Sequence, residues 1–143
     1  MNPKASQSRA WSGTIPAMIV KRSAAGYSET VTALLEAIER RGLRVFAQID
    51  HAASARAAGL ELEDEQVVVF GSPLAGTPLM AEDPRIGIEL PLRMLVWRAG
   101  EDVNVGYGDP RELGASYDVA ERASTLGQMA MLLDALACEA AGG

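Results

Sequence analysis

The sequence predicts a single α/β domain, a two-layer sandwich in which a mixed five-stranded sheet carries helices mainly on one face. Two observations lead to this prediction. Segments in which apolar residues alternate, as they do in strands, take turns along the chain with segments in which they recur at helical spacing. The chain of 143 residues also has the usual length of one domain, and its 48% of hydrophobic residues is enough for a core.

Five segments have the composition of strands, because apolar β-branched residues alternate or run continuously in each of them. They are residues 13–23, 43–50, 66–70, 91–98 and 102–107. The third segment is apolar throughout, which predicts a central strand that is buried on both faces. Gly100-Glu101-Asp102 predicts a hairpin turn between the last two strands.

The clearest helical pattern follows Ser28, which we expect to be the N-cap, and ends at Gly42. Glu36 and Arg40 are four residues apart and are expected to pair on the exposed side of this helix. Shorter helical segments are predicted at residues 52–58, 79–83 and 85–90.

Two more helices are predicted near the end of the chain, at residues 110–117 and 120–140. Asp109 is expected to cap the first of them, with Pro110 in its first position. The inner face of the second is expected to consist of Leu126, Met129, Ala130, Leu133 and Ala137. The broad apolar surface of this helix, together with one uncovered sheet face, predicts a homodimer; alternatively, the helix is simply central in its own layer.

Composition excludes several classes of protein. A net charge of −6 and scattered basic residues argue against a nucleic-acid-binding protein. No apolar run approaches the ~20 residues of a membrane helix, and residues 1–12 are expected to be a frayed tail before a single domain at 13–143. Cys138 is the only cysteine and His51 the only histidine, so we expect no internal disulfide, metal or cofactor, and a cytoplasmic location.

The segment around residues 70–80 concentrates glycine, proline and polar residues, and we expect it to turn twice and to form one wall of a cleft. Gly71 and Gly76 would allow backbone N–H groups to point inward, Ser72 would bond the turn backbone and Thr77 would add a hydroxyl group. Such a nest can hold a carboxylate or a phosphate. Alternatively, glycine and proline only shape a long connection.

Four further side chains are candidates for a functional site. His51 follows Asp50 at a strand end and could act as a general base that Asp50 orients; alternatively, Asp50 only caps the next helix. Arg93 could bind an anion, or it could pair with Asp50, Glu89 or a partner subunit. Tyr107 could line a pocket, although aromatic residues on strands more often belong to a core or an interface.

Several separated motifs in this chain resemble those of the DUF302 family. They are VFAQIDH at 45–51, FGSP at 70–73 followed by GTPLM at 76–80, LPLR at 90–93 and YGDP at 107–110. The resemblance covers about residues 27–136, and Ser72 stands where the family commonly has Asn. It implies a compact two-layer α/β fold that often forms dimers or larger oligomers, and it implies no activity, because the family is named for its unknown function.

These observations favour a homodimeric module that binds or senses a small anionic ligand. Its cleft would lie at the ends of the second and third strands and would bring His51 close to Gly76, Thr77 and Arg93. Two alternatives remain open at this point: a small hydrolase or isomerase with His51 as general base, and a structural or interaction protein without a pocket of its own.

Overall fold

The computed structural model describes residues 18–142. The predicted tail at residues 1–12 and the beginning of the first predicted strand therefore lie outside the described residues. The strands are β1 Met18–Arg22, β2 Arg44–Asp50, β3 Glu65–Gly71, β4 Leu92–Ala99 and β5 Asp102–Gly108. The α-helices are α1 Tyr27–Arg40, α2 His51–Ala57, α3 Pro73–Glu82 and α4 Ala123–Ala140, and the 3₁₀ helices are η1 Pro84–Glu89, η2 Pro110–Ala115 and η3 Ala120–Arg122.

The five strands form one sheet in the order β1-β5-β4-β3-β2, which confirms the predicted α/β sandwich. Every neighbouring pair is antiparallel, so the prediction of a mixed sheet is wrong. The reason is that the connections after β2 and β3 return directly to the adjacent strand and do not cross the sheet, as a parallel pair requires. Only α1 crosses over, and it joins β1 to β2 at the two opposite edges of the sheet.

Helices α1 and α4 pack against the same face of the sheet, and the main core lies between the two layers. The fully buried strand residues Val68, Phe70, Met94 and Val96 contact the helix residues of this core. Along β3 the side chains alternate between buried and partly exposed, so the expectation that this strand is buried on both faces is wrong.

The opposite face of the sheet is apolar and partly exposed, and we call it the open face. Its members follow from the strand pairing, because directly opposed residues of antiparallel strands share a face and successive residues alternate. The apolar members of the open face are Met18, Val20, Ala47, Ile49, Val67, Val69, Leu95 and Trp97. Trp97 lies so close over Gly106 that a Cβ atom at residue 106 would come within 2.9 Å of the indole ring.

Two details of the predicted helix ends need correction. Gly26 is the N-cap residue of α1 and no side chain caps this helix, whereas Ser28 was expected there. Arg40 pairs with Glu139 on α4 and not with Glu36, because α4 brings a carboxylate close to the end of α1. The expected glycine stop is confirmed, since Gly42 has a φ of 69°, a left-handed value that favours glycine.

Residues 73–82 form an α-helix, so the predicted pair of glycine turns is wrong. Ser72 is the N-cap of α3, and its hydroxyl oxygen accepts a hydrogen bond from the N–H of Leu74 at 3.2 Å. Pro73 occupies the first helical position, where its missing N–H costs nothing. Neither Gly71 nor Gly76 has a positive φ, so neither adopts the left-handed conformation for which a turn would need glycine.

Candidate functional site

The two halves of the predicted cleft lie at opposite ends of β3. Asp50 is paired with Gln66 near the start of this strand, whereas Arg44 is paired with Gly71 at its end. Gly71 lies five positions further along the strand than Gln66, which is roughly 16 Å at about 3.3 Å per residue. The prediction that Gly76 and Thr77 converge on His51 is therefore wrong.

At one end of β3, Asp50 acts as a helix cap. Its Oδ1 accepts a hydrogen bond from the N–H of Ala53 at 2.9 Å, as the structural alternative predicted. His51 is exposed in the first turn of α2, and within residues 18–142 its imidazole has no hydrogen-bond partner. Because Asp50 does not orient the imidazole, the arrangement that a His–Asp general base needs is not formed here.

His51 and Arg93 lie along the same broad depression on the open face, which has a volume of about 950 Å³. The Nη2 of Arg93 lies 3.7 Å from the Oε1 of Glu89, so the expected ion pair with this residue is present. Tyr107 also borders the depression, but its side chain is buried in the main core, and this burial raises its pKa. The structure therefore brings His51 and Arg93 to one depression but keeps the Tyr107 side chain in the core.

At the other end of β3, Gly71, Ser72, Gly76 and Thr77 line a smaller cavity of about 280 Å³. Helix α3 forms one wall of the cavity, and the other walls come from α4 and from residues just before and at the start of β2 and β4. Apolar side chains dominate these other sides: Leu43, Phe46, Leu90, Leu92, Met129 and Leu132. None of the described residues that line this cavity is charged.

The backbone around this cavity offers few free donors to an anion. The N–H groups of Ala75 and Gly76 both donate to the carbonyl oxygen of Ser72, at 3.2 and 3.3 Å. The hydroxyl oxygen of Ser72 already caps α3. The structure therefore does not support the predicted anion site at this end of β3, and the lining of the cavity is mainly apolar.

A buried carboxylate that sequence reasoning missed fixes the chain just after α3. Asp83 is only 4% exposed and accepts hydrogen bonds from Arg85 Nε at 2.9 Å and Arg85 Nη2 at 2.8 Å. It also accepts bonds from the backbone N–H groups of Arg85 and of Asp118, at 3.1 and 2.9 Å. The Arg85 guanidinium and these amides hold the pKa of Asp83 well below its usual range.

Asp83 ties η1 to the segment before α4, and a second contact supports this tie. The hydroxyl group of Tyr117 donates to Oε2 of Glu89 at 2.9 Å. The Asp83-Pro84 pair, which has the same form as Asp109-Pro110, could have identified Asp83 as a helix cap but not as a buried carboxylate.

Neither a metal nor a membrane is indicated by the part of the chain that the structure describes. Residues 18–142 contain no group of three or more His, Cys, Asp or Glu side chains placed to hold a metal ion. None of the helices in this range combines the length and the apolar character needed to span a bilayer.

Comparison with known proteins identifies relatives of both sequence and fold. The family model described as "Domain of unknown function DUF302" matches residues 19–136. An uncharacterized conserved DUF302 protein from Bacillus stearothermophilus has a similar crystal structure, with a TM-score of 0.78 and 17% identity over 86% of this chain and 97% of that one. At this level of identity the likeness shows the fold alone.

Curated relatives include proteins named fluoride-specific ion channels. FluC 1 of Brucella suis and FluC 1 of Brucella abortus are each 34% identical to this chain over 117 residues, which is 77% of the chain. The same region is only 46% and 43% of these relatives. The chain thus spans less than half the length of the curated proteins that it matches.

Proposed function

The chain belongs to the DUF302 family, and on this premise we propose that it is a homodimeric small-molecule binding module. Two copies associate through the open face of the sheet. The observation that carries this proposal is the row of apolar side chains on that face, among which Met18, Val20 and Ile49 are each almost half exposed. Contiguous apolar patches of this kind usually mark an interaction surface.

The size of the open face suits an interface between two copies. Five strands about 4.8 Å apart and about 20 Å long present roughly 500 Å² of flat surface. A standard interface buries roughly 800 Å² on each partner. The sheet face alone supplies more than half of this area, so a dimer of standard size would also bury part of the surrounding loops. A second copy offers the same flat apolar surface.

Charge favours one orientation of the two copies. Arg93 and Glu65 are charged residues of the open face on the central strands β4 and β3, and they lie towards opposite ends of these strands. In a dimer of two sheets packed face to face, the two-fold axis lies in the plane between them. An axis perpendicular to the strands in that plane would bring Arg93 of one copy close to Glu65 of the partner copy. An axis along the strands would instead bring the two Arg93 side chains together. Opposite charges stabilise the first arrangement.

Sedimentation equilibrium over roughly 1–100 µM protein tests the dimer. We expect a dimer for the wild type and a monomer for Leu95→Glu, because this change places a carboxylate at the centre of the interface. Ile88→Glu is the matched control, since Ile88 is an equally apolar residue that is 81% exposed in η1 and should leave the mass unchanged. A wild type that remains monomeric at 100 µM would refute the proposal.

The orientation has its own test by charge reversal. Arg93→Glu and Glu65→Arg should each weaken the dimer, and the double variant should recover most of the loss. If the double variant is as weak as the sum of the two single variants, the two residues do not face each other and this axis is wrong.

The relatives named FluC favour a second candidate, a domain that assists a fluoride channel. The support is the 34% identity over 117 residues, and the described residues supply no membrane helix of their own for a pore. Expression in a bacterium that lacks fluoride channels tests this candidate. The chain alone should give no fluoride tolerance, and together with a fluoride channel it should raise tolerance above that given by the channel alone. Equal tolerance with and without the chain would reject the candidate.

A further inference from the structure

We propose that the cavity behind α3 binds a small, neutral, apolar molecule and that α3 is the movable cover of this site. The inference rests on the proposed function as a binding module and names the class of ligand. Four observations support it: the lining of the cavity, its volume, the position of Phe46 and the weak attachment of α3.

The lining selects an apolar ligand. Among residues 18–142 no charged side chain lines the cavity, and one of its polar side chains, Ser72, already bonds the N–H of Leu74. Thr77 is left as the hydroxyl group that could orient a ligand. Water gains little in such a cavity, because each water molecule needs two to four polar partners.

The volume sets the size of the ligand. A cavity of about 150 Å³ lined by apolar side chains is known to hold benzene, and this one has about 280 Å³. It therefore has room for a molecule of roughly the size of indole or naphthol. A peptide helix, which is about 10 Å wide, is too large to enter.

A β-bulge turns Phe46 towards the cavity. The pairing of β2 with β3 shifts between Val45 and Ala47, which leaves Phe46 as the extra residue. Phe46 is 47% exposed and borders the cavity, and the guanidinium of Arg44 lies 5.6 Å from the centroid of its ring. Bulges often redirect a side chain next to a binding site, and this one places an aromatic ring at the mouth of the cavity.

Helix α3 is suited to open and close. Leu79 is its only buried residue, and the helix packs mainly on the neighbouring η1. Pro78 lies inside the helix and lacks a backbone N–H, so the carbonyl of Leu74 cannot receive the usual hydrogen bond from residue 78. Elements with few buried contacts are those that open locally, and the buried Asp83 would hold the far end in place as α3 moves.

Methionine methyl groups provide built-in probes for the test. Met80 and Met129 line the cavity, whereas Met18 lies on the open face and Met131 is exposed on α4. The protein labelled with ¹³C at the methionine methyl groups is titrated with indole, with 1-naphthol and with n-hexanol. We expect the signals of Met80 and Met129 to shift with dissociation constants in the micromolar to millimolar range, while Met18 and Met131 stay in place.

Two leucine substitutions distinguish the cavity from the surface. Gly76→Leu should weaken binding at least tenfold, because a Cβ atom at residue 76 already lies 3.6 Å from Leu90 Cδ1 and the longer side chain extends into the cavity. Gly127→Leu adds the same side chain to α4 where a Cβ atom meets nothing within 4 Å, and it should change binding less than twofold. Phe46→Ala, an exposed position that should not disturb folding, provides a second variant with weakened binding.

Each outcome decides the inference. Shifts confined to Met80 and Met129 that disappear in Gly76→Leu support it. No shift with any of the three probes, a shift of Met18 alone, or unchanged binding in Gly76→Leu would overturn it. Dimerisation is measured separately, so a protein that dimerises but binds none of the probes would overturn the cavity proposal and leave the dimer proposal standing. Binding by a Leu95→Glu monomer would show that each copy carries a complete site.

Discussion

Helix α1 buries five residues against the sheet and α4, namely Thr30, Val31, Leu34, Ala37 and Ile38. Helix α3 is only four residues shorter, yet it buries Leu79 alone and leaves Leu74 88% exposed. Helix α1 is amphipathic, with its apolar residues on one side, whereas α3 is apolar all round and interrupted by Pro78.

This difference separates a rigid scaffold from a weakly attached cover. Packing of an apolar stripe supplies most of the stability of a helix in a protein, so α1 is expected to open only when the whole domain unfolds. Helix α3 has no such stripe and depends on its ends: the Ser72 cap at the start and the Asp83 cluster just beyond its last turn. Substitutions in the two regions should therefore differ in how much stability they cost and in how far their effects extend through the domain.

The largest effect is expected for Leu34→Ala in α1. Leu34 is fully buried, so its truncation removes apolar contacts and leaves a cavity, which should lower the free energy of unfolding by about 3 kcal/mol. Urea denaturation measures this change. Leu74→Ala in α3 is the matched control and should cost less than about 0.5 kcal/mol; equal losses would mean that the two helices are attached alike.

Asp83→Asn should have the next largest effect, and that effect should concentrate around α3. The amide cannot accept both guanidinium bonds as a carboxylate does, so we expect the melting temperature to fall by roughly 5 °C at pH 7. Hydrogen exchange should show faster opening of α3 and η1 than of α1. Asp118→Asn is the control, because the Asp118 side chain is 94% exposed and makes only a long ion pair of 3.6 Å with Arg85, while the bond to Asp83 comes from its backbone N–H.

The wild type and the Asp83→Asn variant should respond differently to acid. The pKa of Asp83 is lowered in the folded protein, chiefly by the Arg85 guanidinium, so ionised Asp83 stabilises the fold at pH values above the unfolded pKa of about 4. This contribution is lost progressively as the pH falls further, and the gap between wild type and Asp83→Asn should narrow. A gap that stays constant down to pH 2 would show that charge is not the cause.

Gly76→Ala should have a smaller effect of opposite sign. Alanine is the better helix former by up to about 1 kcal/mol, and a Cβ atom at this position would make only ordinary contacts with Leu90 and Met80. We therefore expect slower hydrogen exchange within α3 at an unchanged rate within α1. An unchanged or faster rate in α3 would indicate that helix propensity does not limit its opening.

The scaffold was predictable from the sequence because its signals are local and periodic. The apolar stripe of α1, the alternation in β4 and β5 and the glycine stop at Gly42 each follow from a few neighbouring residues. The antiparallel order of the sheet was missed, since it depends on where each connection returns. The cover was also missed, because Ser72-Pro73 was interpreted as a turn.

Ser72-Pro73 belongs to a pattern that occurs three times in the chain. Ser72, Asp83 and Asp109 each precede a proline, and each accepts a hydrogen bond from the backbone N–H two residues on. Only the third pair was recognised from the sequence as a helix start. The pattern identifies helix starts but not burial, so the buried cluster around Asp83 became visible only in the tertiary structure. The same holds for the separation of the two halves of the predicted site, which lie at opposite ends of β3.

The smallest effect is expected for Glu139→Gln, on the scaffold side. Glu139 links α4 to the end of α1, since its Oε1 accepts a hydrogen bond from Arg40 at 2.8 Å and its Oε2 accepts one from Arg41. The guanidinium groups of Arg41 and Arg40 lower its pKa to about 2. Its side chain is 35% exposed and that of Arg40 is 61% exposed, so solvent screens the pairs and their loss should cost only about 0.5 kcal/mol at pH 7.

Acid and salt should remove even this difference. Because the pKa of Glu139 is lowered, its contribution is present above the unfolded value near 4.5 and disappears as the pH falls towards 2. In 1 M NaCl the difference between wild type and Glu139→Gln should also fall, because salt screens exposed charges, whereas the Asp83→Asn difference should persist. Glu36→Gln, an exposed change on α1, provides the baseline. If Glu139→Gln destabilised the protein as much as Leu34→Ala does, charge and not packing would hold the scaffold together.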